Sequence, residues 1–110
     1  DADAQYNLGW MYADGNGVSQ DYKEAVRLFR LATEKGQLKA QYYLGLMYAD
    51  GTGVTQDFVY AYMWWIIAAS NGFLLAKKSK TNLARKMTSS QIEEAQRLSK
   101  ECMKKDYKGC

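Results

Sequence analysis

Apolar positions in the first two thirds of the chain recur with helical spacing, and they do so twice. Ala4, Leu8 and Tyr12 fall at i, i+4 and i+8, one stripe on a helix, and the same stripe returns as Ala40, Leu44 and Tyr48. After each comes a second apolar set: Ala25, Leu28, Phe29 and Ala32, then Ala61, Trp64, Trp65 and Ala68. Asp21 and Asp57 stand where helix N-caps belong, and Gly36 and Gly72 where helices end. The pattern predicts two helical hairpins. Laid over one another without a gap, residues 4–39 and 40–75 share 18 of 36 positions. A fixed period of this length is the signature of a solenoid, in which each unit buries its apolar face against the next.

The remainder departs from the period. Phe73 to Met87 predicts another first helix, with Ala76 in register with Ala40, but no glycine loop follows. Thr88-Ser-Ser-Gln91 is a capping box, with threonine at the cap and glutamine three residues on. A last helix is expected from about Ser89 to Lys105, apolar along Ile92, Ala95, Leu98 and Cys102 and charged opposite. The expectation is an all-α solenoid of antiparallel helix pairs, about six helices in one domain. Residues 4–39 are repeat one, 40–75 repeat two, and 76–110 a degenerate repeat with a capping helix. Asp1–Ala4 corresponds to the end of a unit. The chain is therefore expected to be the C-terminal part of a longer array, unless an N-terminus coincides with a repeat boundary. A unit lacking its neighbour would expose a face through which two copies could dimerise.

Two features of the repeat bear on chemistry. Gly9 and Gly45 sit in mid-helix, where glycine costs roughly 1 kcal/mol against alanine. A cost repeated at one position points to a neighbouring helix that must come close. The loop Ala-Asp-Gly-x-Gly-Val can hold an ion or a phosphate, or simply turn the chain. A calcium loop begun at Asp14 would have Val18 at its fifth position and Ala25 at its twelfth, where glutamate is needed. No Lys-Ser or Lys-Thr follows the glycines, as a phosphate loop requires. The loop is therefore read as a turn, with Val18 and Val54 plugging it into the core.

These residues carry a family resemblance. Ala-x-x-x-Leu-Gly-x-x-Tyr-x-x-Gly-x-Gly-Val-x-x-Asp, followed by Ala, an aromatic, Ala and Gly at a 36-residue period, resembles the Sel-one-like repeat, a relative of the tetratricopeptide repeat. The resemblance implies a right-handed superhelix of helix pairs serving as a scaffold for protein–protein contacts. It also implies a bacterial setting in envelope signalling, secretion or host interaction. In tetratricopeptide-like stacks the first helix of each pair lines the concave surface. The residues beside the core stripe there are Asn7, Trp10 and Met11, then Tyr43, Leu46 and Met47, each triplet sharing a helix face. Lys77, Lys78 and Lys80 would continue that surface with positive charge. Asn7, Trp10, Met11, Tyr43, Leu46, Met47 and Lys78 are thus the candidate partner-binding set, suited to an extended peptide with apolar anchors and acidic character. The alternative is that some of them contact the neighbouring helix.

Composition narrows the chemistry further. The chain has no histidine, which removes the commonest general base and metal ligand. No Ser-x-x-Lys occurs, so a penicillin-binding or β-lactamase-like activity, discussed for some relatives, lacks its nucleophile pair. No catalytic residue, metal or cofactor is expected, nor a small-molecule substrate. The helix around Ala61–Ala69 is apolar on all sides, so it is buried or faces a partner. A haem or quinone pocket there would lack a histidine.

The net charge of +3 hides an asymmetry: residues 77–110 carry ten Lys or Arg against four Asp or Glu. That basic third is a solvated face, or it binds a polyanion or membrane surface. Nucleic acid is not the expected partner, and no apolar run is long enough to span a membrane. Cys102 and Cys110 would lie about 12 Å apart in a continuous helix, too far to bond. Asp106–Gly109, however, reads as a helix ending that could bring Cys110 back. Their spacing resembles the paired cysteines of a cysteine-rich branch of the family, which implies a disulfide and an oxidising compartment, periplasmic or extracellular. The alternative is a buried Cys102 and a free terminal thiol.

Overall fold

The computed structural model describes residues 1–110, and six helices account for its regular structure. They are α1 (Ala2–Asp14), α2 (Tyr22–Glu34), α3 (Leu38–Asp50), α4 (Phe58–Ser70), α5 (Leu74–Ala84) and α6 (Ser89–Lys104). Their ends follow the expected chemistry. The Asp21 and Asp57 carboxylates accept the backbone N–H groups of Glu24 and Tyr60, both at 3.1 Å. Thr88 and Gln91 close the capping box in both directions.

The repeated loop is a helix terminator that satisfies its own backbone. Gly15 and Gly51 adopt left-handed φ of 71°, a conformation open to glycine. The next N–H groups, of Asn16 and Thr52, return to the carbonyls of Met11 and Met47 at 3.0 Å. The side-chain amides of Gln20 and Gln56 donate to the carbonyls of Ala13 and Ala49 at 2.8 and 2.9 Å. With its carbonyls occupied in this way, the loop works as a turn.

The pairing distance within each hairpin is set by a glycine against an aromatic ring. A Cβ built on Gly9 would lie 2.8 Å from the Phe29 ring, and one on Gly45 would lie 2.5 Å from Nε1 of Trp65. That indole N–H also donates to the carbonyl of Tyr42 at 3.0 Å. The mid-helix glycines thus let α2 press on α1, and α4 on α3. Residues of α2, α3 and α4 dominate the core, with Phe29, Leu44, Trp64, Met63 and Ile67 essentially sealed from water.

The third unit does not repeat this pairing. α1 packs on α2, α2 on α3, α3 on α4 and α4 on α5, but α6 packs on α4 and barely meets α5. Three substitutions account for the change. The glycine position of α5 is Thr81, which is exposed and offers no close approach. On α4, Met63 and Ile66 stand where α2 has Arg27 and Arg30. Arg27 is exposed and Arg30 bonds the Tyr48 hydroxyl at 2.6 Å, so that face of α2 is polar. The same face of α4 is apolar, and α6 covers it: Tyr60 and Met63 meet Leu98 and Cys102 around one small cavity of about 60 Å³. The all-apolar character of α4 follows from its three helical neighbours. The degenerate repeat is accordingly an unpaired α5 plus a helix laid on α4.

The chain end is strapped down. Asp106 and Tyr107 take φ of 56° and 68°, turning the chain back after α6. Cys102 and Cys110 are bonded, with Cα atoms 5.7 Å apart. The Tyr107 hydroxyl accepts from the Asn71 amide at 3.1 Å, and the Gly109 N–H donates to Glu34 at 3.3 Å. The tail therefore touches the ends of both α2 and α4.

At the other end, α1 shows an open side. Ala4 and Leu8 are exposed, Leu8 by 39%, whereas their counterparts Ala40 and Leu44 are fully buried beneath α2. The stripe on α1 is the same as on α3, but no helix lies over it.

Three outcomes are expected in urea denaturation. Gly45→Ala gains helix propensity of about 1 kcal/mol but overpacks Trp65 and strains its bond to Tyr42, for a net loss of about 2 kcal/mol. Thr81→Gly should lose no more than about 1 kcal/mol, because nothing packs there. Reduction of the Cys102–Cys110 bridge should lower stability by about 2.5 kcal/mol, the loop-entropy value for so short a ring. Amide exchange should then increase at Gly109 while α1–α3 keep their protection.

Candidate functional site

The face built by α1, α3 and α5 carries two cavities related by the 36-residue period. The first lies between α1 and α3 and has Phe29 as its floor, with a volume of about 190 Å³. Its walls include Trp10, Ala13 and Asp14 from α1 and Tyr43, Leu46, Met47 and Asp50 from α3. The second lies between α3 and α5 over Trp65, with a volume of about 420 Å³. There Leu46, Ala49 and Asp50 take the places of Trp10, Ala13 and Asp14, and Ser79, Asn82, Leu83 and Lys86 those of Tyr43, Leu46, Met47 and Asp50. Leu46 and Asp50 form the wall between the two.

The aromatic walls of the first cavity are held by one another. The Trp10 and Tyr43 rings meet edge to face at 4.8 Å between centroids, and Trp10 meets Phe29 in the same way at 5.6 Å. Such contacts fix ring orientation before any ligand arrives. Burial pushes the Tyr43 hydroxyl above the ordinary tyrosine range, and the neighbouring Tyr6 and Tyr42 add to the effect. Asp14 and Asp50 are the last residues of α1 and α3 and are exposed. Neither carboxylate takes part in an ion pair or a side-chain hydrogen bond within the chain.

The structure brings together Trp10, Tyr43, Leu46 and Met47 of the residues expected from sequence. Met47 is 8% exposed and belongs as much to the core as to the wall. Asn7 and Met11 are exposed on α1 outside both cavities. Lys78 lies with Leu74, Lys77 and Thr81 on the outer side of α5, and Lys80 sits over the Tyr62 ring at 5.9 Å. The cation that does line the second cavity is Lys86. Sequence reasoning weighed Asp14 only as the start of a calcium loop and passed over Asp50, Tyr22 and Lys86. The signal for the two aspartates lay in the loop motif itself, once its glycines and glutamines are seen to complete the turn without them.

No cluster of three or more acidic, cysteine or histidine side chains is placed to hold a metal ion. No helix is long and apolar enough to cross a membrane.

The family model of the Sel1 repeat matches residues 2–37 and 38–73. The chain belongs to the Sel1 repeat family. The matched frames begin where α1 and α3 begin, two residues before the frame read from internal identity. Among solved structures, a protective antigen present in uropathogenic Escherichia coli strains, with an SLR fold, superposes with a TM-score of 0.91 at 31% identity. That match covers 97% of this chain and 24% of the antigen. A Sel1 repeat protein from Oxalobacter formigenes superposes with a TM-score of 0.73 at 34% identity, covering 76% of this chain and 34% of that protein. The chain thus spans about a quarter to a third of the length of these relatives, both bacterial. No curated protein sequence matches it. Sel1 repeat proteins are, as a group, scaffolds for protein partners.

The placement of the expected residues gives a stability ordering that thermal and urea unfolding can check. Met47→Ala should cost about 2–4 kcal/mol, as a core truncation does. Asn7→Ala and Met11→Ala should each stay within about 1 kcal/mol, because neither side chain is enclosed.

Proposed function

We propose that this Sel1 repeat unit is a non-catalytic scaffold that binds an extended segment of a protein partner along the face of α1, α3 and α5. The observation that carries this reading is the pair of repeat-related cavities, in register on one face, each floored by an aromatic ring and sharing a rim, the first with preorganised aromatic walls. A peptide in the extended polyproline II conformation advances about 3.1 Å per residue with three residues per turn, so side chains three apart share a face about 9 Å apart, and packed helices stand 8–10 Å apart. Side chains about three residues apart on one peptide would therefore reach neighbouring cavities. Anchors of this kind, aromatic and largely desolvated, carry most of the energy of an interface.

The bonded cysteines support a periplasmic or secreted location, since disulfides persist in oxidising compartments. The basic C-terminal third has less to recommend it as a polyanion site. Its cations are divided among α5, α6 and the segments that follow them, and Arg97 is already engaged by Glu94 and Glu101.

The test is retention of a partner from extracts of the source organism by the native chain, by Trp10→Ala/Leu46→Ala, and by Lys100→Glu on α6. A protein kept by the native chain and by Lys100→Glu but lost by the cavity variant is the expected result. Equal retention by all three would remove the groove from the account. Maleimide labelling of protein taken directly from its cells checks the location: both thiols should stay blocked until reductant is added.

A further inference from the structure

The two cavities share a frame but not an electrostatic character, and the difference concerns what the first one takes. Trp10, Tyr22, Phe29 and Tyr43 surround it, Asp14 and Asp50 stand at its mouth, and no lysine or arginine lines it. Each aspartate ends its helix, so the negative ends of two helix dipoles add to two carboxylates. Neither carboxylate is held in an ion pair within the chain. In the second cavity the position matching Asp50 is Lys86, so Asp50 and a cation share that lining, and serine replaces tyrosine at Ser79. An aromatic enclosure with unpaired carboxylates at its rim is the chemistry that attracts an organic cation. The rings face the aliphatic stem and the charge, and the carboxylates take the head.

We propose that the first cavity is a recognition site for an arginine or lysine side chain carried on an extended segment of the protein partner. The assignment rests on the groove reading given above and adds to it the charge and the place of one anchor. It reverses the acidic character expected from Lys77, Lys78 and Lys80, since two of these lie on the outer side of α5 and the third rests on Tyr62. The second cavity, with Asp50, Asn82 and Lys86 in its lining, takes a polar side chain three residues away on the same face of a polyproline II segment.

The test uses a positional-scanning library of fluorescein-labelled, alanine-based nonapeptides, read by anisotropy at low and at physiological ionic strength. Peptides with arginine or lysine at one position should bind about tenfold more tightly than the same peptides with glutamate or norleucine there, and the margin should shrink with salt. Asp14→Asn/Asp50→Asn should abolish that preference with an unchanged melting temperature, and Lys100→Gln, exposed on α6 outside both cavities, should retain it. Binding without preference for a cation, or a preference that survives the double asparagine variant, overturns the inference and leaves the groove reading standing. If no peptide in the library binds the native chain, the groove reading fails and this one falls with it.

Discussion

Everything in this structure depends on how closely two helices of a hairpin can approach, and a glycine facing an aromatic ring decides that distance. Gly9 admits Phe29 and Gly45 admits Trp65 at separations no Cβ would tolerate. The helix pays for the glycine with about 1 kcal/mol of propensity, and the buried ring returns more than that in apolar area. The same two rings are the floors of the two cavities. The contact that closes each hairpin therefore also shapes the surface between successive first helices. Fold and site are two consequences of one packing event, so the period of the sequence becomes the period of the site.

Where the contact is missing the architecture changes. Thr81 stands at the glycine position of α5, and α5 acquires no partner from its own unit. α6 goes instead to α4, whose outer face is apolar because Met63 and Ile66 replace two arginines. The Cys102–Cys110 bond and the Tyr107–Asn71 hydrogen bond then hold the chain end on the same side. This leaves the α1, α3 and α5 face uncovered along its length. An α6 packed as a conventional second helix would occupy the side of α5 where Leu74 is now 79% exposed.

Most of the fold was legible in the sequence because a repeat is read twice. The caps at Asp21 and Asp57, the glycine turns and the two hairpins each appear in duplicate, and agreement between copies strengthens each reading. The capping box at Thr88 placed the start of α6 from a local signal alone. The destination of α6 was not legible. A helix with one apolar stripe states that it must be covered and does not state by what, and the informative residues, Thr81 and Met63, lie on two other helices. The open stripe of α1 was anticipated from the register of Asp1–Ala4 with the end of a unit. Ala4 and Leu8 have the composition of buried positions, but burial belongs to the pair of surfaces, and here one surface is absent.

The site was legible to a different degree for its walls and its charges. Trp10, Tyr43 and Leu46 follow from helical spacing beside the core stripe, which is a geometric property of the helix. Asp14 and Asp50 looked like parts of a turn. Their freedom became visible only when the turn's carbonyls were found to be satisfied by backbone N–H groups and by Gln20 and Gln56. The two carboxylates are identical between repeats although the turn does not use their side chains. The walls around them differ, tyrosine against serine and aspartate against lysine. A scaffold whose units had only to stack would need neither the unpaired charges nor that contrast. Both fit the proposed discrimination between successive side chains of one bound segment, because specificity is a difference in affinity between neighbouring choices.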